Sequence, residues 1–257
     1  MHFEYQYTVH DPAYGSRIFR RRIRMEKRGA TIAAGLEDIM HALKLVVEFD
    51  GDTIRDIQGT WYRHPNLSCR GATAQFAPFI GQKVTASRQT FRNYADPRQQ
   101  CTHFHDLLGL TLNHALRREA VRQYDIAIPD MVRSSTSAEV YLDGKLMHHW
   151  QIDRNGIVGP EPLKGRTLVS GFSRWAAEMY EGDSLEAAHV LQMGTFVSWA
   201  GNLDFKAMKA KFPGIVLAPP NLMGGCYAMQ PVRTHEALPC HEVKDFTSDA
   251  DGMLAFL

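Results

Sequence analysis

Two Asp-Gly pairs constrain this chain more than anything else in it. Asp50-Gly51 and Asp143-Gly144 each stand between stretches of strand-forming residues. Such a pair takes the positive φ angles of a two-residue hairpin turn at little steric cost. A tight turn joins antiparallel neighbours, so both places argue against a doubly wound parallel sheet.

The first pair closes a region, Arg17 to Arg63, that reads as β throughout. Leu36 to Phe49 is its clearest strand, and Thr53 to Tyr62 returns as the partner. The second pair joins Ala138–Leu142 to Leu146–Ile152, within a β unit that begins near Tyr124. Helices follow each β region. Ser68 caps one that runs to Phe79 and stops at Gly81. Asp96-Pro97 opens another that passes Cys101 and reaches about Arg118, with Leu108, Leu112 and Leu116 at helical spacing. Gln82 to Asp96 reads as an exposed connection between them.

After the second hairpin, Gly159 to Gly165 reads as a loop. Helices then span Gly171–Tyr180, capped by Ser170, and Ser184–Trp199, capped by Asp183. The tail is irregular, with Pro219-Pro220, Gly224-Gly225, Pro231 and Pro239. The fold class is therefore α+β: antiparallel meander and hairpin units with helices packed on them, in two similar strand-then-helix halves. The expected organisation is one α+β domain over 1–257, with sub-units 16–120 and 121–257.

The 257 residues are 44% hydrophobic and 22% charged, enough to build a sizeable core. A net charge of +1 gives no electrostatic case for nucleic acid or an anionic membrane. No run approaches the roughly 20 apolar residues of a membrane span, and Met1 to Gly15 lacks the apolar stretch of a signal peptide. Four scattered cysteines, Cys69, Cys101, Cys226 and Cys240, do not make a disulfide framework. The expectation is a cytoplasmic protein with reduced thiols; a homodimer is compatible with it. The run Arg20-Arg21-Arg22-Ile23-Arg24 reads as a solvated or edge strand before it reads as an anion site.

Chemistry concentrates in a few places. If Leu36–Phe49 is one strand, Glu37, Ile39, His41, Leu43, Leu45, Val47 and Phe49 share a face. That face is apolar except for Glu37 and His41. A buried carboxylate beside an imidazole can fix the ring's tautomer and make it a general base. A satisfied structural pair is the equal alternative. In Cys101-Thr102-His103-Phe104-His105-Asp106, a helix would place Cys101 with His105 and His103 with Asp106. Cys101 would lie in the first turn, where the helix dipole favours thiolate. Asp106 could orient His103 in an acid–base dyad. The spacing matches no standard zinc pattern, so no metal or other cofactor is expected; Cys69, Cys101 and His103 are the candidates should one bind.

In Trp61-Tyr62-Arg63-His64-Pro65, Tyr62 and Arg63 could bind a phenolate or carboxylate, against a plain surface turn. Tyr227, after Gly224-Gly225-Cys226, could donate a proton or line a pocket, although a packing turn is the commoner case. His148 and His149 point to opposite faces of a strand. There is no G-x-S-x-G elbow, no P-loop and no G-x-G-x-x-G loop.

At these residues the chain resembles the bacterial domain-of-unknown-function 2889 family. The resemblance rests on Leu36-Glu37-Asp38 with His41, Arg63 with Pro65 and Cys69, Cys101-Thr102-His103 with Asp106-Leu107, and the late Gly225-Cys226-Tyr227. It runs from about Arg17 to Tyr227 and departs at His64, Phe104 and His105. It implies small aromatic substrates and a shared site of Glu37, His41, Cys101, His103 and Asp106. The functional expectation is a cofactor-independent lyase on a small phenolic compound, releasing formaldehyde from a hydroxymethyl-bearing lignin-derived biaryl. Glu37, His41, His103 and Asp106 would be catalytic, and Tyr62, Arg63, Cys101, His105 and Tyr227 would bind substrate. Trp61, Phe104, Trp175 and Trp199 could line the pocket. The alternatives are a metal-dependent hydrolase or lyase using Cys69, Cys101 and His103, and a non-catalytic aromatic-ligand binding protein.

Overall fold

A computed structural model describes residues 8–212, 214, 223–236, 240 and 242–257. Residues 1–7 lie outside these, as do Pro219, Pro220 and Pro239 of the irregular tail. The strands are β1 (Ile18–Arg28), β2 (Thr31–Glu37), β3 (Ala42–Asp50), β4 (Thr53–Arg63), β5 (Val121–Pro129), β6 (Thr136–Leu142), β7 (Lys145–Ile152) and β8 (Ile157–Gly159). The α-helices are α1 (Arg88–Tyr94), α2 (Thr102–Ala115), α3 (Phe172–Met179), α4 (Gly182–Ser198) and α5 (Phe205–Lys211). The α+β class and its antiparallel hairpins are therefore present as the sequence indicates.

The chain divides into two compact units. One holds Ile23–Arg122, Phe205–Val243 and Leu254–Leu257; the other holds Met1–Arg22, Gln123–Asp204 and Lys244–Met253.

In the 23–122 unit the strand order is β4-β3-β2-β1. The pairs β2/β3 and β3/β4 are antiparallel, with Leu36 opposite Leu43 and Leu43 opposite Trp61. Gly51, at φ +58°, makes the turn between β3 and β4. One face of this meander, including Ile32, Ala34, Leu36, Leu43, Leu45 and Val47, is buried. Helix α2 packs against β2 and β3 and sinks Phe104, Leu107, Leu108 and Leu112 into the core. Each such side chain contributes about 1.5–3 kcal/mol on burial. Leu116, in phase with them, falls at the helix end and is exposed. Gly59 on β4 makes room for this packing. A Cβ there would stand 2.7 Å from Phe76 and 3.2 Å from Phe104.

Four expectations change in this unit. Leu36–Phe49 is not one strand. β2 ends at Glu37, and the chain turns through 38–41, closed by Asp38 N–H donating to the His41 carbonyl at 2.8 Å. The segment expected as a Ser68-capped helix is a 3₁₀ helix over Leu67–Phe79, with Asn66 at its cap position. Asp96 does cap a turn, by accepting from Arg98 N–H, but that turn is a single 3₁₀ turn over Pro97–Gln99. Helix α2 starts afresh after Cys101. The expected exposed connection before Asp96 contains α1, capped by Ser87 accepting from Thr90 N–H.

In the other unit the order is β5-β6-β7-β8, and Asp143 (φ +49°) with Gly144 (φ +82°) turns β6 into β7. Helix α4 packs on β6 and β7. Helix α3 is preceded by Gly171 at φ +83° rather than by a Ser170 cap, and α4 by Glu181 rather than Asp183. His148 is buried, its Nε2 donating to the Ser184 carbonyl at 2.7 Å. His149 turns outward to Glu139, 3.0 Å away. The arginine run on β1 is not a solvated stripe. Arg21 is 2% exposed with its guanidinium 6.0 Å from the Phe19 ring, and Arg22 pairs with Asp125 at 2.6 Å.

Among the described residues, no helix is long and apolar enough to cross a membrane.

Candidate functional site

The turn between β2 and β3 builds the site, and Asp38 builds the turn. Its Oδ1 accepts from the backbone N–H groups of Met40 (2.8 Å) and His41 (2.9 Å). This is the local capture of backbone by which Asp competes with strand continuation. The same carboxylate lies 2.9 and 3.2 Å from His41 Nδ1. Asp38 is wholly buried and His41 nearly so. A carboxylate only accepts, so in the neutral ring Nδ1 carries the proton and Nε2 the lone pair. The orienting carboxylate of His41 is thus Asp38, which an unbroken strand would have placed on the opposite face.

Glu37 does something else. Its Oε1 accepts from Arg63 Nη2 at 3.0 Å and its Oε2 from the Leu254 N–H at 2.6 Å. Arg63 Nη2 also donates to the Asp38 carbonyl at 2.6 Å and reaches the His41 carbonyl at 3.4 Å. Glu37 and Arg63 therefore brace the turn; the Glu37–His41 partnership expected from alternation is replaced by Glu37–Arg63.

His103, in the first turn of α2, stacks on His41 with ring centroids 3.8 Å apart and planes inclined by 30°. The β turn and the α2 cluster therefore meet at these two rings. Behind them, Trp61 stands 6.5 Å from His41 and edge-on to Phe104 at 4.9 Å. Its indole N–H donates to the Cys69 carbonyl at 3.0 Å. Two imidazoles, one with its tautomer set by Asp38, thus stand together against an aromatic wall, an arrangement able to hold or pass a proton.

The remaining candidates lie elsewhere in the same unit. His105 is buried between Phe91, 4.5 Å away, and Phe79, 6.3 Å away. Asp106 is 3.9 Å from His105 Nδ1. Tyr62 is half exposed and stacks on Phe256 at 4.3 Å. Tyr227 lies under Arg233, whose guanidinium is 4.0 Å from its ring. Its hydroxyl occupies the space a Cβ on Gly71 would need. Cys101 caps α2 with an extended backbone and is buried. Burial pushes its thiol up to about 12, outweighing the N–H groups of Phe104 and His103. The expected thiolate is therefore a neutral thiol, because desolvation opposes the helix dipole here. Cys69 is pushed up still further by burial. Among the described residues, no three His, Cys, Asp or Glu side chains stand where they could hold a metal ion. Trp175 and Trp199 belong to the other unit, packed on Phe172 and Phe196.

One cluster escaped the sequence reading. His64 Nε2 accepts from Arg70 Nε at 3.1 Å, and its Nδ1 is 3.1 Å from Cys240 Sγ. A guanidinium only donates, so the neutral ring must carry its proton on Nδ1, facing the sulfur. Burial, then Arg70, holds the His64 pKa down. His64 therefore cannot take the Cys240 proton, and the pair is not a nucleophilic dyad. No sequence signal joins residues so far apart.

Residues 20–117 match the family model described as Protein of unknown function (DUF2889). It covers β1 to α2, hence Glu37, Asp38, His41, Arg63 and His103; Tyr227 falls beyond it. No curated protein matches the chain.

Proposed function

We propose that the DUF2889 segment holds an acid–base site and that the protein is a lyase acting on a small phenolic compound without a redox cofactor. The observation that carries this reading is the buried Asp38–His41 pair with His103 stacked on it.

His41 Nε2 takes the proton of a substrate hydroxymethyl group while Asp38 holds Nδ1–H and stabilises the imidazolium that forms. The carbon–carbon bond to that carbon then breaks. Formaldehyde leaves, and the electron pair left on the neighbouring carbon forms a carbon–carbon double bond as the adjacent aryl ether C–O bond breaks and its oxygen departs as a phenolate. His103, against the His41 face, is placed to return a proton to the product. Trp61 offers a flat apolar wall to an aromatic ring. A hydroxymethyl-bearing biaryl of lignin type has each group this chemistry uses. Four free cysteines fit a cytoplasmic setting with reduced thiols.

The test is turnover of hydroxymethyl-bearing phenolic dimers by the purified protein, with released aldehyde trapped. His41→Ala is expected to lower kcat by about 10³-fold and His103→Ala by about 10²-fold. No turnover across a diverse panel, or rates indifferent to both substitutions, overturns the reading. Thermal stabilisation by the dimers without product would favour an aromatic-binding module instead.

A further inference from the structure

Leu254 has φ +62° although it is not glycine. A leucine in the left-handed region is strained, and such strain persists only where the surroundings impose it. Here three contacts impose it. Its N–H donates to Glu37 Oε2 at 2.6 Å. Its side chain lies in the space left by Gly35, where a Cβ would stand 3.0 Å from Leu254 Cδ2 and 3.4 Å from Leu257 Cδ2. Two residues on, Phe256 stacks on Tyr62, with planes inclined by 23°. The Leu257 N–H returns to the Leu254 carbonyl at 3.0 Å and closes the segment on itself.

These contacts fall on the strand ends that flank the catalytic turn. Glu37 is the last residue of β2, and Tyr62 and Arg63 are the last of β4. The carboxylate gripped by Leu254 on one oxygen grips Arg63 with the other. The Arg63 guanidinium in turn reaches the carbonyls of Asp38 and His41. A charged group held on both sides has little freedom to rotate, so the chain of bonds is stiff.

We propose that Leu254–Leu257 is a positioning strap for the acid–base turn, acting through Glu37 and Arg63 to hold Asp38 and His41 in register. This rests on the proposed role of His41 for its catalytic consequence, though not for its structural one. Leu254, Glu37 and Arg63 touch no reacting atom in this scheme; they set where His41 stands.

The experiment uses the full chain. Leu254→Pro removes the N–H and cannot adopt φ +62°, so it releases the strap. Glu37→Gln keeps the side-chain shape but breaks the charge on both sides. Phe256→Ala removes only the exposed stack. The structural readout is the hydrogen-bonded Nδ1 proton of His41, seen as a downfield resonance with its nitrogen assigned by long-range correlation. The catalytic readout is kcat against KM on whichever phenolic dimer turns over.

Leu254→Pro and Glu37→Gln are expected to weaken or abolish the His41 Nδ1 resonance and to lower kcat by on the order of 10²-fold with little change in KM. Phe256→Ala removes one of the three contacts but neither hydrogen bond of Glu37, so it should keep the resonance and lower kcat by less than about tenfold. An unchanged His41 resonance in folded Leu254→Pro and Glu37→Gln proteins overturns the strap and leaves an ordinary anchor. If Leu254→Pro does not fold, Glu37→Gln alone decides. Loss of the resonance in a protein that turns over nothing keeps the strap and discards the lyase reading.

Discussion

The two units bury polar groups in opposite ways. In the 123–204 unit, Tyr124 donates its hydroxyl to Glu186, and His148 donates to the Ser184 carbonyl. Each of these bonds ties strand to helix α4, and the groups are fastened to the fold they stabilise. In the 23–122 unit the charged groups Glu37, Asp38 and Arg63 gather on one turn. Asp38 holds the ring of His41, Arg63 reaches its carbonyl, and Glu37 holds Arg63. The first pattern is what a core does with polar side chains it must satisfy. The second fixes the direction of a titratable ring, which stability alone does not require.

The largest expected effect sharpens that contrast. Asp38→Asn keeps the volume but lets the amide donate to His41 Nδ1, moving the ring proton to Nε2. Turnover should fall by about 10³-fold, with a modest loss of stability in urea denaturation. A fall in stability without loss of turnover would make Asp38 the equivalent of Glu186 and erase the distinction. Next, Tyr124→Phe should cost about 2 kcal/mol of stability, read from the fall in denaturation midpoint, since a buried carboxylate loses its donor, while kcat stays unchanged. A loss of kcat instead would show the two units to be functionally coupled.

The smallest effect is in pH. Burial lowers the pKa of His148 in one unit and of His64 and His114 in the other from 6.5. The unfolded chain then binds protons before the folded one does. The stability these rings contribute is complete above 6.5 and is lost as pH falls through their folded values. Denaturation curves between pH 7 and 5 should show this slope. His148→Gln, which can still donate to the Ser184 carbonyl, should make it shallower while His64 and His114 retain their share. An unchanged slope would place all the linkage in the 23–122 unit.

Both hairpins were legible because Asp50-Gly51 and Asp143-Gly144 announce backbone angles that few other pairs accept. The turn at 38–41 was not. It contains no glycine or proline, and apolar residues alternate across it, so periodicity reads straight through. Its cause is a side chain catching its own backbone, and the only trace is an Asp three residues before a His. The meeting of His41 with His103 was implied only by the family resemblance, and the partner of each carboxylate was not foreseen at all. Glu37 finds Arg63 across two strand pairings, and Leu254 near the far end of the sequence. Such partners are set by register and topology, which local pattern does not encode. The α2 start was misplaced because Asp96-Pro97 opens its own short turn and Gln100 is extended, leaving Cys101 outside the helix.

Gly59 carries a final consequence. A Cβ on residue 59 would press on Phe76 at 2.7 Å and on Phe104 at 3.2 Å, and Phe104 is the residue next to His103. How deep that ring sinks sets the height of the whole first turn of α2 above the sheet. A single methyl group at 59 would act as a shim, lifting one imidazole off the other without touching either, so the gap between the rings is gauged by an atom the chain leaves out.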